Sequence, residues 1–217
     1  PPRSTLFPYT TLFRSVRYGW LGVLLSNTDR QSLVDLGVGE RRGARIGNVF
    51  SDGPAGKYGL LPGDFVVAID GRQVQSIDQL VRIVGDLPVG RQSTFEILRD
   101  GKSAQIKITI EERKEATAAD YGKLWPGLEP ARLTPDALES RKLPASTKGV
   151  LISSVIARSP SATLGMKIGD LVTHINDKPV ASLADFYRLL NDSAARNIQF
   201  TVIRDGQTLT TLALVRK

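Results

Sequence analysis

The sequence predicts a mainly β chain of the α+β class, with two small domains that each form a partly open antiparallel β-barrel capped by a short and a longer helix. Three observations support this. The chain repeats itself at a shift of 106 residues, which is the length of a domain and too long for a solenoid repeat. Each copy contains strand-like runs that end in Asp-Gly or Asn-Asp turns. Each copy also has a run of helical spacing that follows a serine.

The repeat is visible in two long stretches. GARIGNVFSDGPAGKYGLLPGDFVVAIDGRQVQSIDQL aligns with GVLISSVIARSPSATLGMKIGDLVTHINDKPVASLADF. The shared residues are of the types that turns and helix ends require, namely Gly43 with Gly149, Pro54 with Pro160, Gly59 with Gly165, Gly63 with Gly169, and Asp64 with Asp170. Their common positions indicate a duplicated domain.

The first elements of each copy are a strand, a short helix and a second strand. The first strand covers Ala44–Val49 or Val150–Val155. It is followed by a proline suited to the first turn of a helix and by a glycine suited to its end. The second strand, DFVVAID or DLVTHIN, ends in a tight turn at Asp70-Gly71 or Asn176-Asp177.

The remaining elements of each copy are a longer helix and a closing hairpin. Ser76 and Ser182 stand at N-cap positions ahead of IDQLVRIVGD and LADFYRLLND. The hairpins turn at an Asp-Gly pair in both copies. One more short helix is predicted at Leu133–Arg141, with Thr134 as its N-cap and a proline at its first position.

These elements give a division of the chain into a first domain at 16–113, a linker at 114–120 and a second domain at 121–217. The linker lies in the polar stretch EERKEATAADY at Glu111–Tyr121. Residues 1–15, PPRSTLFPYTTLFRS, contain helix-breaking prolines and translate without mismatch from a DNA sequence that resembles a common sequencing adapter. We interpret this segment as an unstructured artefact, and we expect the rest to be the C-terminal part of a longer protein.

Composition and charge exclude several functional classes. Apolar and charged fractions of 41% and 24% are those of a globular chain. No run of eighteen apolar residues is present, so no membrane span is expected. The net charge of +7 is spread over single basic residues without interleaved aromatics, which argues against a nucleic-acid partner. The absence of Cys excludes disulfides and thiolate chemistry.

The sequence offers no catalytic residue, metal site or cofactor site. His174 is the only His, and it alternates with apolar residues in a predicted strand. No G-x-S-x-G nucleophile turn is present, and a single His without Cys or clustered carboxylates does not hold a metal. GDLPVGRQS at Gly85–Ser93 has the outline of a phosphate loop, but Arg and Gln replace its Lys and its Ser or Thr.

Several motifs carry a resemblance to a known family. They are GWLGV at Gly19–Val23, LPVG and LRDGK after the first long helix, and WPGLEP at Trp125–Pro130 followed by LTPDALE. With the repeated pattern, these stretches resemble PDZ domains in the circularly permuted bacterial arrangement. Two such domains in tandem are similar to the C-terminal part of HtrA (Deg/Do-like) serine endoproteases. Tyr18 departs from the family, which often has Arg there.

The resemblance implies a peptide-binding groove in each domain. A PDZ groove adds a peptide as an extra strand beside a helix, and backbone N–H groups of a glycine loop bind its terminal carboxylate. In the first domain the groove would comprise Trp20, Leu21, Gly22, Val23, Leu80 and Val84. In the second it would comprise Trp125, Pro126, Gly127, Leu128, Phe186 and Leu190. Because Pro126 has no N–H, the first groove is expected to be the main receptor of C-termini.

The resemblance also implies a function for the parent protein. The fragment would capture apolar C-terminal or unfolded segments of misfolded periplasmic proteins and regulate a protease domain located upstream. That parent would be a homo-oligomer. The alternative is a PDZ module of a membrane-embedded metalloprotease or of a non-catalytic envelope scaffold.

Overall fold

The computed structural model describes residues 18–112 and 117–215. The interpretation of residues 1–15 as an adapter artefact lies outside the described residues. The predicted fold class is confirmed, because the chain is mainly β with short helices and forms two similar domains. Their sheets are open and do not close into barrels.

The first domain is built on a sheet with the strand order β2-β3-β4-β6-β7. Its strands are β1 (Gly19–Trp20), β2 (Val23–Ser26), β3 (Ala44–Phe50), β4 (Phe65–Ile69), β5 (Arg72–Gln73), β6 (Gln92–Arg99), β7 (Lys102–Thr109) and β8 (Glu111–Glu112). Its helices are α1 (Arg30–Asp35), α2 (Pro54–Lys57) and α3 (Ile77–Asp86). Strand β2 stands at the edge of the sheet, and β1 pairs with β8.

The second domain has the matching order β10-β11-β12-β15-β16. Its strands are β9 (Leu124–Trp125), β10 (Leu128–Arg132), β11 (Val150–Val155), β12 (Leu171–Ile175), β13 (Lys178–Pro179), β14 (Asn197–Ile198), β15 (Phe200–Arg204), β16 (Gln207–Thr210) and β17 (Leu214–Val215). Its helices are α4 (Pro135–Ser140), α5 (Pro160–Thr163) and α6 (Leu183–Leu190). Strand β9 pairs with β3 of the first domain rather than with its own sheet.

The caps and turns lie where the sequence predicts them. Ser76 and Ser182 accept hydrogen bonds from the amides three residues on, at the N-termini of α3 and α6. Thr134 caps α4 in the same way. The hairpin residue Asp70 has a positive φ of 49°, which the following glycine helps the turn to adopt. The predicted caps and turns are confirmed. Each of them depends only on residues that are near one another in sequence.

The repeated Gly-Asp and Arg-Asp-Gly motifs have a structural explanation. Asp64 is buried and receives two hydrogen bonds from Arg99, at 2.7 and 2.6 Å. Asp170 and Arg204 form the same pair in the second domain, with both distances 2.6 Å. Each pair ties the start of a central strand to the end of its neighbour, which accounts for the shared positions.

The stretch Glu111–Tyr121, predicted to be a polar linker, contains regular structure at both ends. Glu111–Glu112 pairs with Gly19–Trp20, although glutamate disfavours strands. A 3₁₀ turn at Asp120–Lys123 leads directly into β9. Tertiary pairing therefore decides the conformation here, where the local sequence is uninformative.

The hydrophobic cores show that the two domains pack against each other. One buried cluster lies wholly in the first domain. The other contains the core of the second domain together with four first-domain residues, Leu36, Val38, Phe65 and Leu98. The first domain therefore contributes part of the surface that buries the second.

Candidate functional site

The first candidate site is a groove between the edge strand β2 and the helix α3. A cavity of about 800 Å³ lies there. It is lined by every first-domain residue that the sequence assigns to the groove, namely Trp20, Leu21, Gly22, Val23, Leu80 and Val84. Within residues 18–112 and 117–215, β3 is the one strand that pairs with β2, so the other edge of β2 presents a row of backbone groups with which a further strand can pair.

A tight glycine loop closes one end of this groove. Gly22 has a φ of 77°, and a Cβ there would lie 3.1 Å from Gly53 Cα. The carbonyl groups of Leu21 and Gly22 accept hydrogen bonds from Ala55 and Phe50, at 2.8 and 2.9 Å. Among the described residues, none accepts a hydrogen bond from the amides of Leu21 or Gly22. Successive N–H groups in a glycine turn of this kind can form a nest that binds an anion.

The wall of the groove opposite β2 is apolar. Leu80 and Val84 lie four residues apart on α3, share one face and are 2% and 5% exposed. Val81 stands on the rim and is 54% exposed. The arrangement suits an apolar side chain that enters beside the helix while its backbone pairs with β2.

Two aromatic residues of the first groove escaped the sequence analysis. Phe50 and Tyr121 both line the cavity, and together with Trp20 they form a row of rings. The ring centroids are 5.9 Å apart between Trp20 and Phe50 and 6.3 Å apart between Phe50 and Tyr121. Tyr121 lies in a polar stretch without periodicity, so no sequence pattern points to it.

The second candidate site has the same loop but different surroundings. Gly127 has a φ of 80°, and its carbonyl group accepts a hydrogen bond from Ile156, at 2.9 Å. The amide of Gly127 donates to Asn48 Oδ1 of the first domain over 2.7 Å, and both groups are buried. The position that would bind a carboxylate is therefore occupied by a side-chain oxygen of this chain.

The first domain also connects the two elements that would form the walls of the second groove. The Arg45 guanidinium donates to the hydroxyl of Tyr187 on α6 and to the carboxylate of Glu129 on β10. Ser26 donates to the other carboxylate oxygen of Glu129 over 2.5 Å. Burial raises the pKa of the Tyr187 hydroxyl, although the Arg45 charge opposes the shift, so the phenol stays neutral and accepts this hydrogen bond.

Strand β3 therefore lies against the second site and contacts it through its side chains. Asn48 faces Gly127, and Arg45 faces Glu129, so β3 passes this site antiparallel to β10. A peptide with its C-terminus at the Gly127 loop would run in the same direction. The predicted residues Leu128, Phe186 and Leu190 are 0% exposed and belong to the shared core, and Trp125 packs against it.

Further contacts hold the domains together. Arg132 and Asp35 form an ion pair at 2.8 Å, and Asn191 Nδ2 donates to the carbonyl of Pro62 over 2.8 Å. Gly63 lies against the ring of Tyr187, and a Cβ at Gly63 would be 2.6 Å from that ring. Glycine at this position thus allows α6 to approach the first domain.

The chain's single His and its acidic residues, which the sequence does not assign to a site, are placed as follows. His174 lies half-buried on β12, with Nδ1 3.1 Å from the hydroxyl of Thr173. Groups of three or more metal-ligating side chains are absent from residues 18–112 and 117–215. None of the helices in those same ranges is long and apolar enough to cross a membrane.

Comparisons with known proteins identify the family of the chain. The family model described as PDZ domain matches residues 19–110 and 131–214. The chain is 29% identical over 203 residues to the probable periplasmic serine endoprotease DegP-like of Ectopseudomonas mendocina, covering 88% of the chain and 42% of that protein. It is 28% identical over 190 residues to the periplasmic serine endoprotease DegP of Salmonella typhimurium, covering 86% and 38%.

Solved structures give similar matches. The HtrA-type protease AlgW with decapeptide is 29% identical, with a TM-score of 0.43, over 46% of this chain and 31% of that one. The serine endoprotease from Yersinia pestis is 22% identical, with a TM-score of 0.37, over 46% and 30%. The chain thus spans less than half the length of the relatives that it matches.

Proposed function

The chain belongs to the PDZ-domain family, as the tandem PDZ part of an HtrA-type protease, and on that premise we propose that its first groove captures the apolar C-termini of peptides. One observation carries the proposal: the edge of β2, the apolar wall of α3 and the amides of Leu21 and Gly22, which donate to no described residue, line a single open cavity. Strand addition would supply the affinity and the loop would select a free carboxylate.

In the parent protein this capture would serve quality control. The relatives are named periplasmic serine endoproteases, so we place the chain in the periplasm, beside a protease domain that it supplies with substrate and regulates. The parent would act as a homo-oligomer. The relatives' names favour this role over the metalloprotease or scaffold alternative.

The second domain would have a different role under this proposal. Its carboxylate loop and both walls of its groove contact the first domain, which leaves the first groove as the receptor. We propose that the second domain supports the first structurally and directs assembly. One bound peptide per chain follows from this.

Calorimetric titration of the chain with an apolar C-terminal peptide tests the proposal. We expect micromolar affinity, about −8 kcal/mol, and a stoichiometry of one. Amidation of the terminus removes the charged acceptor of the loop, and hydrogen bonds to charged groups contribute about 1.5–3 kcal/mol, so affinity should fall at least tenfold. Equal affinities for the acid and the amide would refute the carboxylate mechanism, and a stoichiometry of two would refute the role given to the second domain.

A further inference from the structure

Tyr121 lies outside the two aligned stretches of the repeat but inside the first groove. Its ring lines the cavity and is 6.3 Å from the ring of Phe50. The Phe50 ring is in turn 5.9 Å from the ring of Trp20, the residue that precedes the carboxylate loop. Thus the wall at the loop end of the groove is not made by the first domain alone. It is completed by the segment that leads into the second domain.

The position of Tyr121 depends on how that segment docks. The 3₁₀ turn that contains it is fixed by Asp120, whose carboxylate accepts from both the amide and the hydroxyl of Thr117 at 2.7 Å. The turn is joined to the first domain by the hydrogen bond from the Ser51 amide to the Lys123 carbonyl, at 2.9 Å. Burial of Leu124 at 0% exposure anchors the same segment.

Strand β3 connects this docking to the peptide groove and to the second domain. On one side Val49 pairs with Val23 of β2, the strand that would receive the peptide. On the other side Val49 pairs with Trp125 of β9. Two residues beyond Trp125, the Gly127 amide binds Asn48, which is also on β3. Tyr121 and the closed second groove therefore belong to one docked arrangement.

We propose that Tyr121 is a binding residue of the first groove, and that peptide binding there is coupled to docking of Asp120–Gly127 on β3. The proposal rests on the function proposed above. A peptide that contacts Tyr121 binds the docked arrangement more tightly than an undocked one. By linkage, the same peptide strengthens docking by the same factor and keeps the second groove closed.

The binding half is tested on the full chain with the apolar C-terminal peptide used above. Tyr121→Ala should weaken binding about fivefold to thirtyfold, the usual range for an aromatic contact residue at an interface. Tyr121→Phe keeps the ring and should bind within about twofold of the wild type. The matched control is Tyr58→Ala, because Tyr58 is a half-exposed tyrosine that donates to Thr109 and lies outside the cavity.

The coupling half is tested by hydrogen exchange of the Gly127 amide. Saturating peptide should slow its exchange in the wild type and in Tyr121→Phe, and should have little effect in Tyr121→Ala. A merely structural role for Tyr121 would change the basal exchange but not the response to peptide. The near-ultraviolet circular dichroism of each variant shows whether its tertiary packing survives.

The outcomes separate the two proposals. If the wild type binds no such peptide, the proposed function fails and this inference fails with it. If the wild type binds and folded Tyr121→Ala binds equally well, or if peptide leaves the Gly127 exchange unchanged, only this inference is overturned. If Tyr121→Ala does not fold, the response of Gly127 in the wild type still decides the coupling.

Discussion

The two grooves of the chain share a loop geometry but differ in what surrounds it. Gly22 and Gly127 have nearly equal φ values, 77° and 80°. The first loop opens into a cavity of about 800 Å³, whereas the second donates its glycine amide to Asn48. A binding motif therefore does not determine whether its site is accessible, because the neighbouring domain can occupy it.

The long helices of the two domains, α3 and α6, show the same difference between an open and a covered groove. Val81 of α3 and Tyr187 of α6 occupy equivalent positions in the repeat. Val81 is 54% exposed at the rim of an open groove, whereas Tyr187 is buried against Gly63 and Arg45. A large side chain with a polar end at this position gives α6 an interdomain contact that α3 does not make.

The largest expected effect comes from removing Arg45. Arg45→Ala leaves the Glu129 carboxylate and the Tyr187 hydroxyl without their shared donor. Breaking a buried pair by removing one partner costs roughly 3–5 kcal/mol, and we expect about 3 kcal/mol because Glu129 retains 26% exposure. Urea denaturation measures the change in the free energy of unfolding.

The matched control for that prediction is Arg42→Ala, an exposed arginine three residues earlier in the chain. Its substitution should change the free energy of unfolding by less than about 0.5 kcal/mol. If both variants lose equal stability, the guanidinium bridge does not hold the domains together. Peptide stoichiometry in Arg45→Ala provides a second measure, since values above one would show that the second groove has opened.

A smaller effect is expected from Asn48. Asn48→Ala removes the acceptor of the Gly127 amide, and an unsatisfied buried donor costs about 1–3 kcal/mol. Asn27→Ala, at an exposed position of the same domain, is the control. A melting temperature equal to that of the control would show that water satisfies the Gly127 amide and that Asn48 is dispensable. The Gly127 amide should also exchange faster in Asn48→Ala.

The sequence predicts the parts of each groove but not how the domains meet. Loops, caps and strand ends follow from residues a few positions apart, such as Ser182 and the amide of Asp185. The bridge from Arg45 reaches Glu129 and Tyr187 across 84 and 142 positions, and no local periodicity encodes such a contact. The same reason hides Tyr121, which reaches Phe50 across 71 positions and lies in a stretch without periodicity.

The sequence does anticipate unequal grooves, from the missing N–H of Pro126, and that expectation is still a prediction. The structure adds a separate cause, because the first domain covers the Gly127 loop. The effect of the missing Pro126 N–H on peptide binding can be distinguished from the effect of the first domain covering the Gly127 loop. If docking dominates, opening the interface with Arg45→Ala should increase binding to the second groove even though Pro126 is unchanged.

The smallest expected effect concerns the rim of the interface. Arg132 and Asp35 are 34% and 25% exposed, and their pair at 2.8 Å contributes about 0.5 kcal/mol in dilute salt, as expected for a partly exposed ion pair. Arg132→Gln should remove that contribution. From 0.1 to 1 M salt the screening length falls from about 10 to 3 Å, so the difference from the wild type should vanish. Most of the loss in Arg45→Ala should persist in 1 M salt, because the Arg45 side chain is 3% exposed and its partner Tyr187 is buried, although Glu129 is 26% exposed. Equal salt dependence of the two losses would mean that Arg45, like Arg132, belongs to a solvated rim, and among the buried contacts of the described residues the Gly127 loop would then be held by its hydrogen bond to Asn48 and not by the Arg45 bridge.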